Sequence, residues 1–174
     1  MSRLVAIDPG LKGALVLFVD GKIKEWIPMP CTKASGHNYP DSAEIEAWLW
    51  KHQPEDIVIE HAYGMEGSST QAVFHYGVGF GLTYGACLSQ KVKEVVLLRP
   101  QEWQSKLFAS ILTGKQLQDD SKVKALACVR KLYPDANLFR NKRCSTPDEG
   151  MVDAVCIGFY YMWKIGALKE YAKM

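Results

Sequence analysis

Arg3-Leu4-Val5-Ala6-Ile7-Asp8-Pro9-Gly10 is the stretch on which the reading of this chain turns. Leu4 to Ile7 are four apolar residues in a row, two of them β-branched, which predicts a short strand buried on both faces. Asp8 stands where Pro9 and Gly10 end that strand, and a carboxylate there is costly to bury without a partner. Working outward, Gly13 to Val19 and Lys22 to Ile27 predict two further strands joined by Asp20-Gly21, a strong signal for a tight hairpin. The chain thus opens as a three-strand meander with one acid at its first corner. What matters for the rest is which other acids meet Asp8.

The 174 residues suit a single domain spanning 1–174, long enough to build a core without staples. A hydrophobic share of 48% against 23% charged places it among soluble globular proteins. No apolar run reaches the roughly 20 residues of a membrane span, so no membrane partner is expected. Met1-Ser2-Arg3 leads straight into the first strand, with no sign of a signal peptide. Cys31, Cys87, Cys128, Cys144 and Cys156 are odd in number and form no CxxC pair. That favours free thiols in a reducing, cytoplasmic setting over a zinc site or a disulfide framework. The net charge of +2 is uneven: Arg99 to Arg143 holds ten Lys/Arg against four Asp/Glu, which leaves −4 for the remainder. A basic segment beside a more acidic one fits a polyanion-binding surface next to a cation site, although a solvated helix face has the same composition.

Pro28 to Pro40 is a polar stretch expected to form an exposed loop. Asp41 and Glu44 have capping-box spacing before a helix over about 42–52, with Ile45, Trp48 and Leu49 on one face. Asp56-Ile57-Val58-Ile59-Glu60 predicts a second buried strand that, like the first, ends on an acid. Ser68 to Gln90 reads as a long helix in which Gly77, Gly79, Gly81 and Gly85 are costly unless backbone must come close to a neighbour. Gly77 to Gly81 is not a phosphate loop, since no strand precedes it and no Gly-Lys-Ser/Thr follows, and no nucleotide cofactor is expected. Val95 to Leu98 predicts a third buried strand, and Pro100 a short helix through Trp103 to Phe108. Residues 110–118 read as a loop, Asp119 to Ser121 as the start of a helix to about Leu132, Asp135 to Thr146 as a mobile basic loop, and Pro147 as the start of a last helix to about Leu168. This order predicts an α/β fold with a mixed five-stranded sheet flanked by helices. It is the order of the ribonuclease H-like fold.

Asp8 and Glu60 both end buried strands, and if those strands are neighbours both carboxylates emerge at the same end of the sheet. The last helix adds Asp148, Glu149 and Asp153. Glu149 and Asp153, four apart, lie about 40° from each other around a helix, whereas Asp148 lies about 140° from Asp153. Asp148 therefore suits a helix N-terminus, a role open to Glu149 as well. Carboxylates clustered without His or Cys suit Mg²⁺ or Mn²⁺. Two such ions, about 3.5–4 Å apart, serve phosphodiester hydrolysis, and Asp8, Glu60, Glu149 and Asp153 supply the acids for them. His61 follows Glu60, and strand alternation turns it to the opposite face. Phe159, Tyr160, Tyr161 and Trp163 read as core or dimer surface.

Ala6-Ile7-Asp8-Pro9-Gly10, Val58-Ile59-Glu60-His61-Ala62-Tyr63 and Val152-Asp153-Ala154-Val155, in that order, resemble the RuvC-type Holliday junction resolvases of the ribonuclease H-like superfamily. The resemblance places the family's acids on Asp8, Glu60 and Asp153. The fourth acid of the bacterial pattern falls on Gly150, a departure. Viral relatives often place an acid just ahead of such a glycine, which makes Glu149 the fourth ligand and Asp148 the reserve. Tyr63 falls where the family has an aromatic that stacks on unpaired bases, though a turn aromatic on the sheet edge would look the same. Lys122 matches a lysine near the scissile phosphate and Lys106 is a weaker match to a second. Lys106, Lys122 and Lys124 are the basic candidates for nucleic-acid binding.

The resemblance implies a homodimeric crossover junction endodeoxyribonuclease that cuts a four-way DNA junction symmetrically with metal-activated water. Two other readings stand beside it: a ribonuclease H-like nuclease acting on RNA or another branched nucleic acid, and a junction-binding protein without chemistry. Actin-like sugar kinases also begin with an aspartate-glycine hairpin, but they need two such domains.

Overall fold

The computed structural model describes residues 2–61, 67 and 69–168. Three antiparallel strands open it: β1 (Arg3–Asp8), β2 (Ala14–Val19) and β3 (Lys22–Pro28). Asp20 and Gly21 both take positive φ, 49° and 79°, the pairing a two-residue hairpin needs to match strand twist. A second hairpin follows, β4 (Cys31–Ala34) and β5 (His37–Pro40), then α1 (Ser42–His52), β6 (Asp56–Glu60), α2 (Thr70–Leu88) and β7 (Glu94–Leu98). The chain closes with α3 (Pro100–Ile111), a 3₁₀ turn (Gly114–Gln118), α4 (Ser121–Leu132) and α5 (Glu149–Lys164). The main sheet has the order β3-β2-β1-β6-β7, with β1, β6 and β7 parallel. It is the mixed five-stranded sheet expected from the sequence.

Alternation along β1 and β6 sorts the core into two layers. Leu4, Ala6 and Val58 face α3, α4 and α5, while Val5, Ile7, Ile57 and Ile59 face α1 and α2. The α5 helix lies across the sheet so closely that a Cβ on Gly158 would sit 2.4 Å from the Phe18 ring and 2.9 Å from Ala6. Phe159, Tyr160 and Tyr161 are buried there, which settles the aromatic run as core.

The structure departs from the sequence reading in five places. The Pro28–Pro40 stretch is a hairpin, not a loop: Ser35 and Gly36 take positive φ, and Tyr39 Oη pairs with His75 Nδ1 of α2 at 2.7 Å. Its strands are exposed and polar, so no apolar alternation announced them. The β7 strand is an edge strand with only Leu98 buried. Residues 114–118 form a 3₁₀ turn within the stretch read as a loop. The last helix begins at Glu149, not Pro147, because Asp148 is its N-cap, accepting from Met151 N–H at 2.9 Å. The basic loop before it is pinned by buried Leu138 and by Arg140, which holds Asp148 through Nε and Nη2 at 2.8 Å each.

Candidate active site

The register of the parallel pair builds the first half of the site. Ile7 pairs with Ile59, so Asp8 and Glu60 follow side by side at the carboxyl ends of β1 and β6. Alternation turns both toward the α3–α5 face, the side α5 covers. Asp8 Oδ1 accepts the Gly10 N–H at 3.1 Å, which closes the turn that Pro9 begins. The next residue after Glu60, His61, lies on the other face with its ring 6.0 Å from that of Phe80, as alternation requires.

The second half arrives with α5, and two glycines set its approach. Gly13 and Gly150 form an isolated parallel bridge between the β1–β2 turn and the first turn of α5. A Cβ on Gly150 would lie 2.2 Å from the Lys12 carbonyl oxygen, and one on Gly13 2.0 Å from the Asp8 carbonyl oxygen. No side chain fits at position 150, so the acid that the resemblance would place there has no room. The close contact brings Asp153, one turn into α5, within electrostatic reach of Asp8 and Glu60.

Carboxylates that are desolvated and within reach of one another's charge resist ionisation. Burial, and then Asp8, push Glu60 up to about 7, against the lowering effect of a hydrogen bond from Trp103. Asp153 is likewise raised to about 7 by burial first, then by Asp8, Glu60 and Glu149, with Lys122 opposing. Asp8 is raised by burial, partly offset by the Gly10 N–H and reinforced by Asp148. A set of oxygen donors whose charges destabilise one another is what a hard divalent cation neutralises, so the residues fit Mg²⁺ or Mn²⁺. Among the described residues, however, no three His, Cys, Asp or Glu side chains are gathered as a ready-made cage. The candidate fourth acid is turned away from the other three: exposed Glu149 is hydrogen-bonded to Lys122 Nζ.

The remaining candidates sort clearly. Asp148 is almost fully buried and taken up by the cap and by Arg140, the structural role its helix position indicated. Lys122 is exposed at the first turn of α4, beside Glu149 and Asp153. Its helix is capped by Asp120, whose Oδ1 accepts from Lys122 N–H at 2.9 Å and Val123 N–H at 3.1 Å. Lys124 points elsewhere, with Nζ 5.4 Å from the centre of the Phe108 ring. Lys106 is exposed on α3, one turn from Glu102. Tyr63 lies outside the described residues.

Two neighbours of the acids were not foreseen. Trp103, buried on α3, donates its indole N–H to Glu60 Oε1 at 2.9 Å. Tyr76 on α2 has its hydroxyl pushed up by burial and by the charges of Asp8 and Glu60. In the sequence Trp103 is only a helix landmark and Tyr76 one aromatic among several; neither carries a mark of the acid it meets.

The sequence matches no protein-family model and no curated protein. Among solved structures it is similar to Thermus thermophilus RuvC in complex with Holliday junction substrate, at 14% identity over 96% of this chain and 98% of that one, with a TM-score of 0.58. A second Thermus thermophilus RuvC structure matches at 15% identity over 95% and 97%, TM-score 0.53. The yeast mitochondrial Holliday junction resolvase Ydc2 matches at 17% identity over 98% of this chain and 81% of that one, TM-score 0.60. Across nearly its whole length, then, the chain has the ribonuclease H-like fold of the RuvC-type Holliday junction resolvases.

Proposed function

We propose that this protein is a divalent-metal-dependent, structure-selective endonuclease that resolves four-way DNA junctions by symmetric phosphodiester hydrolysis. The observation that supports the reading is the placement of Asp8 and Glu60 on adjacent parallel strands, with Asp153 of α5 near enough for their charges to raise it. Such a cluster lies in a fold shared, almost end to end, with a RuvC bound to a Holliday junction substrate. Asp8, Glu60, Asp153 and Glu149 are the ligands in this reading. Mg²⁺ or Mn²⁺, two per site, supplies an activated water and stabilises the leaving oxygen. Glu149 would help hold the metal, Lys122 beside it would offset charge on the scissile phosphate, and Lys106 and Lys124 would bind phosphates further out. Tyr63 stacks on an unpaired base.

Symmetric cutting calls for two copies of the site, hence a two-fold homodimer. The α2 helix offers the surface: Gly77, Gly81 and Gly85 recur every four residues with open space where a Cβ would stand. Phe74 and Leu88 are exposed on the same helix. All five cysteines are free, in keeping with a reducing compartment. Among the described residues no helix is long and apolar enough to cross a membrane.

A synthetic four-way junction incubated with and without Mg²⁺, with products mapped on each strand, tests the reading. Paired cuts at symmetric positions, absent without metal, are expected. Preferential cutting of an RNA–DNA hybrid would move the protein to another nuclease class. Junction binding without metal-dependent cleavage would make it a binding protein.

A further inference from the structure

Glu60 is held by a tryptophan, and the geometry is specific. The α3 helix starts directly after β7, with Arg99 at its N-cap and Pro100 in its first turn, and β7 lies beside β6 with Leu98 in register with Glu60. The first turn of α3 therefore brings Trp103 back over the end of β6. Its indole is 1% exposed and packed edge-on against Phe108, with ring centres 5.7 Å apart and planes at 78°. The ring cannot turn without displacing core, so its N–H is a fixed donor aimed at Glu60 Oε1, 2.9 Å away. A carboxylate at a strand end has freely rotating terminal torsions, and one fixed bond at Oε1 selects which way Oε2 faces.

We propose that Trp103 is a positioning residue for the metal centre: its indole N–H locks the Glu60 carboxylate so that the free oxygen faces Asp8 and Asp153. This rests on the reading of those acids as metal ligands. Groups that orient a ligand from outside the coordination sphere typically contribute about 10–100-fold to metal affinity. A tryptophan serving only as core would contribute to stability and leave metal affinity alone. The two roles are separable because one atom distinguishes them.

The test replaces Trp103 by β-(3-benzothienyl)alanine, which keeps the bicyclic shape and puts sulfur in place of the N–H, and in parallel by phenylalanine (Trp103→Phe). Mn²⁺ binding to the whole protein is followed by electron paramagnetic resonance, with thermal unfolding alongside. The expected result for the isostere is a melting temperature close to wild type and a Mn²⁺ dissociation constant raised at least about 10-fold. Trp103→Phe should weaken binding as much while also lowering the melting temperature. In junction cleavage at subsaturating Mn²⁺, kcat should fall with KM for the junction unchanged, and excess Mn²⁺ should restore it. Mn²⁺ affinity equal to wild type in the isostere overturns the inference and leaves the metal-centre reading standing. No Mn²⁺ bound by wild type, with Asp8→Asn indistinguishable from it, overturns the metal-centre reading itself and this inference with it.

Discussion

Gly150 of α5 lies against Gly13 of the β1–β2 turn so closely that neither position has room for a side chain. The contact fixes how near Asp153 comes to Asp8, and it couples the site to the fold at one point. Because the atoms that a Cβ on Gly150 would meet are backbone, no side chain can swing away. Gly150→Ala should therefore destabilise the protein by at least about 2 kcal/mol, the upper part of the overpacking range. Gly150→Asp, which restores the bacterial pattern on paper, should do worse and supply no ligand. Urea unfolding monitored by circular dichroism checks both; an unaltered midpoint for Gly150→Ala would contradict the packing described.

Asp8→Asn removes one charge from a group of mutually repelling carboxylates. Junction affinity should be retained in the presence of Ca²⁺ while cleavage with Mg²⁺ falls by at least about 100-fold, the scale on which removing one preorganised electrostatic group is felt. The same substitution should raise the melting temperature of the metal-free protein at pH 8, since a functional site held against its own repulsion costs stability. Gel-shift, cleavage and thermal-melt measurements on one preparation give all three results. Undiminished metal-dependent cleavage would remove Asp8 from the mechanism.

The pH dependence has a definite sign. Glu60 and Asp153 are raised to about 7 from ordinary values of 4.5 and 3.8, so the folded state binds more protons than the unfolded state between those limits. The corresponding stability is fully present below about pH 4 and is lost as pH rises through 7, with each group contributing a slope of up to about 1.4 kcal/mol per pH step of one. Metal-free melting temperatures should thus decline from pH 5 to pH 8. A divalent ion, binding the ionised acids, should stabilise the protein much more at pH 8 than at pH 5. Differential scanning fluorimetry with EDTA or Mg²⁺ over that range reads both slopes.

The neighbouring acids at the start of α5 should separate by assay. Asp148→Ala removes the cap and strands Arg140, so it should lower stability by about 1–2 kcal/mol. Glu149→Gln should leave the melting temperature close to wild type, since its pairing with Lys122 is exposed, and should weaken Mn²⁺ binding. The reverse pattern would make Asp148 the fourth ligand. Lys122→Met should reduce kcat and spare the melting temperature.

Gly81→Trp tests the dimer. Open space surrounds the position, so the fold should tolerate the ring while the two copies cannot approach. Sedimentation should then show monomer, and a dimer as stable as wild type would move the interface elsewhere.

Much of this architecture was legible because it rests on local patterns. The buried runs of β1 and β6, Asp20-Gly21 and the Asp41 cap each dictate structure within a few residues. The α2 and α4 helices likewise begin where Ser69 and Asp120 cap them. The adjacency of Asp8 and Glu60 was conditional on β1 and β6 being neighbours, and the parallel register of the two strands meets that condition. The β4–β5 hairpin was not legible, because exposed polar strands that pair only with each other lack apolar alternation. Trp103 was missed for a different reason: a hydrogen bond to an acid 43 residues away depends on where α3 lands. Gly150 read as the loss of an acid, and only the backbone facing it reveals a steric demand.

The distance along the chain between Asp8 and Asp153 has a consequence for folding. Asp8 and Glu60 lie on strands that pair with each other, whereas Asp153 comes from α5, the last of the described elements in chain order. A chain without α5 in place would hold Asp8 and Glu60 on the sheet but lack Asp153 beside them. Docking of α5 on the sheet is therefore the folding step on which the proposed centre waits, and local unfolding of that one helix would dismantle it.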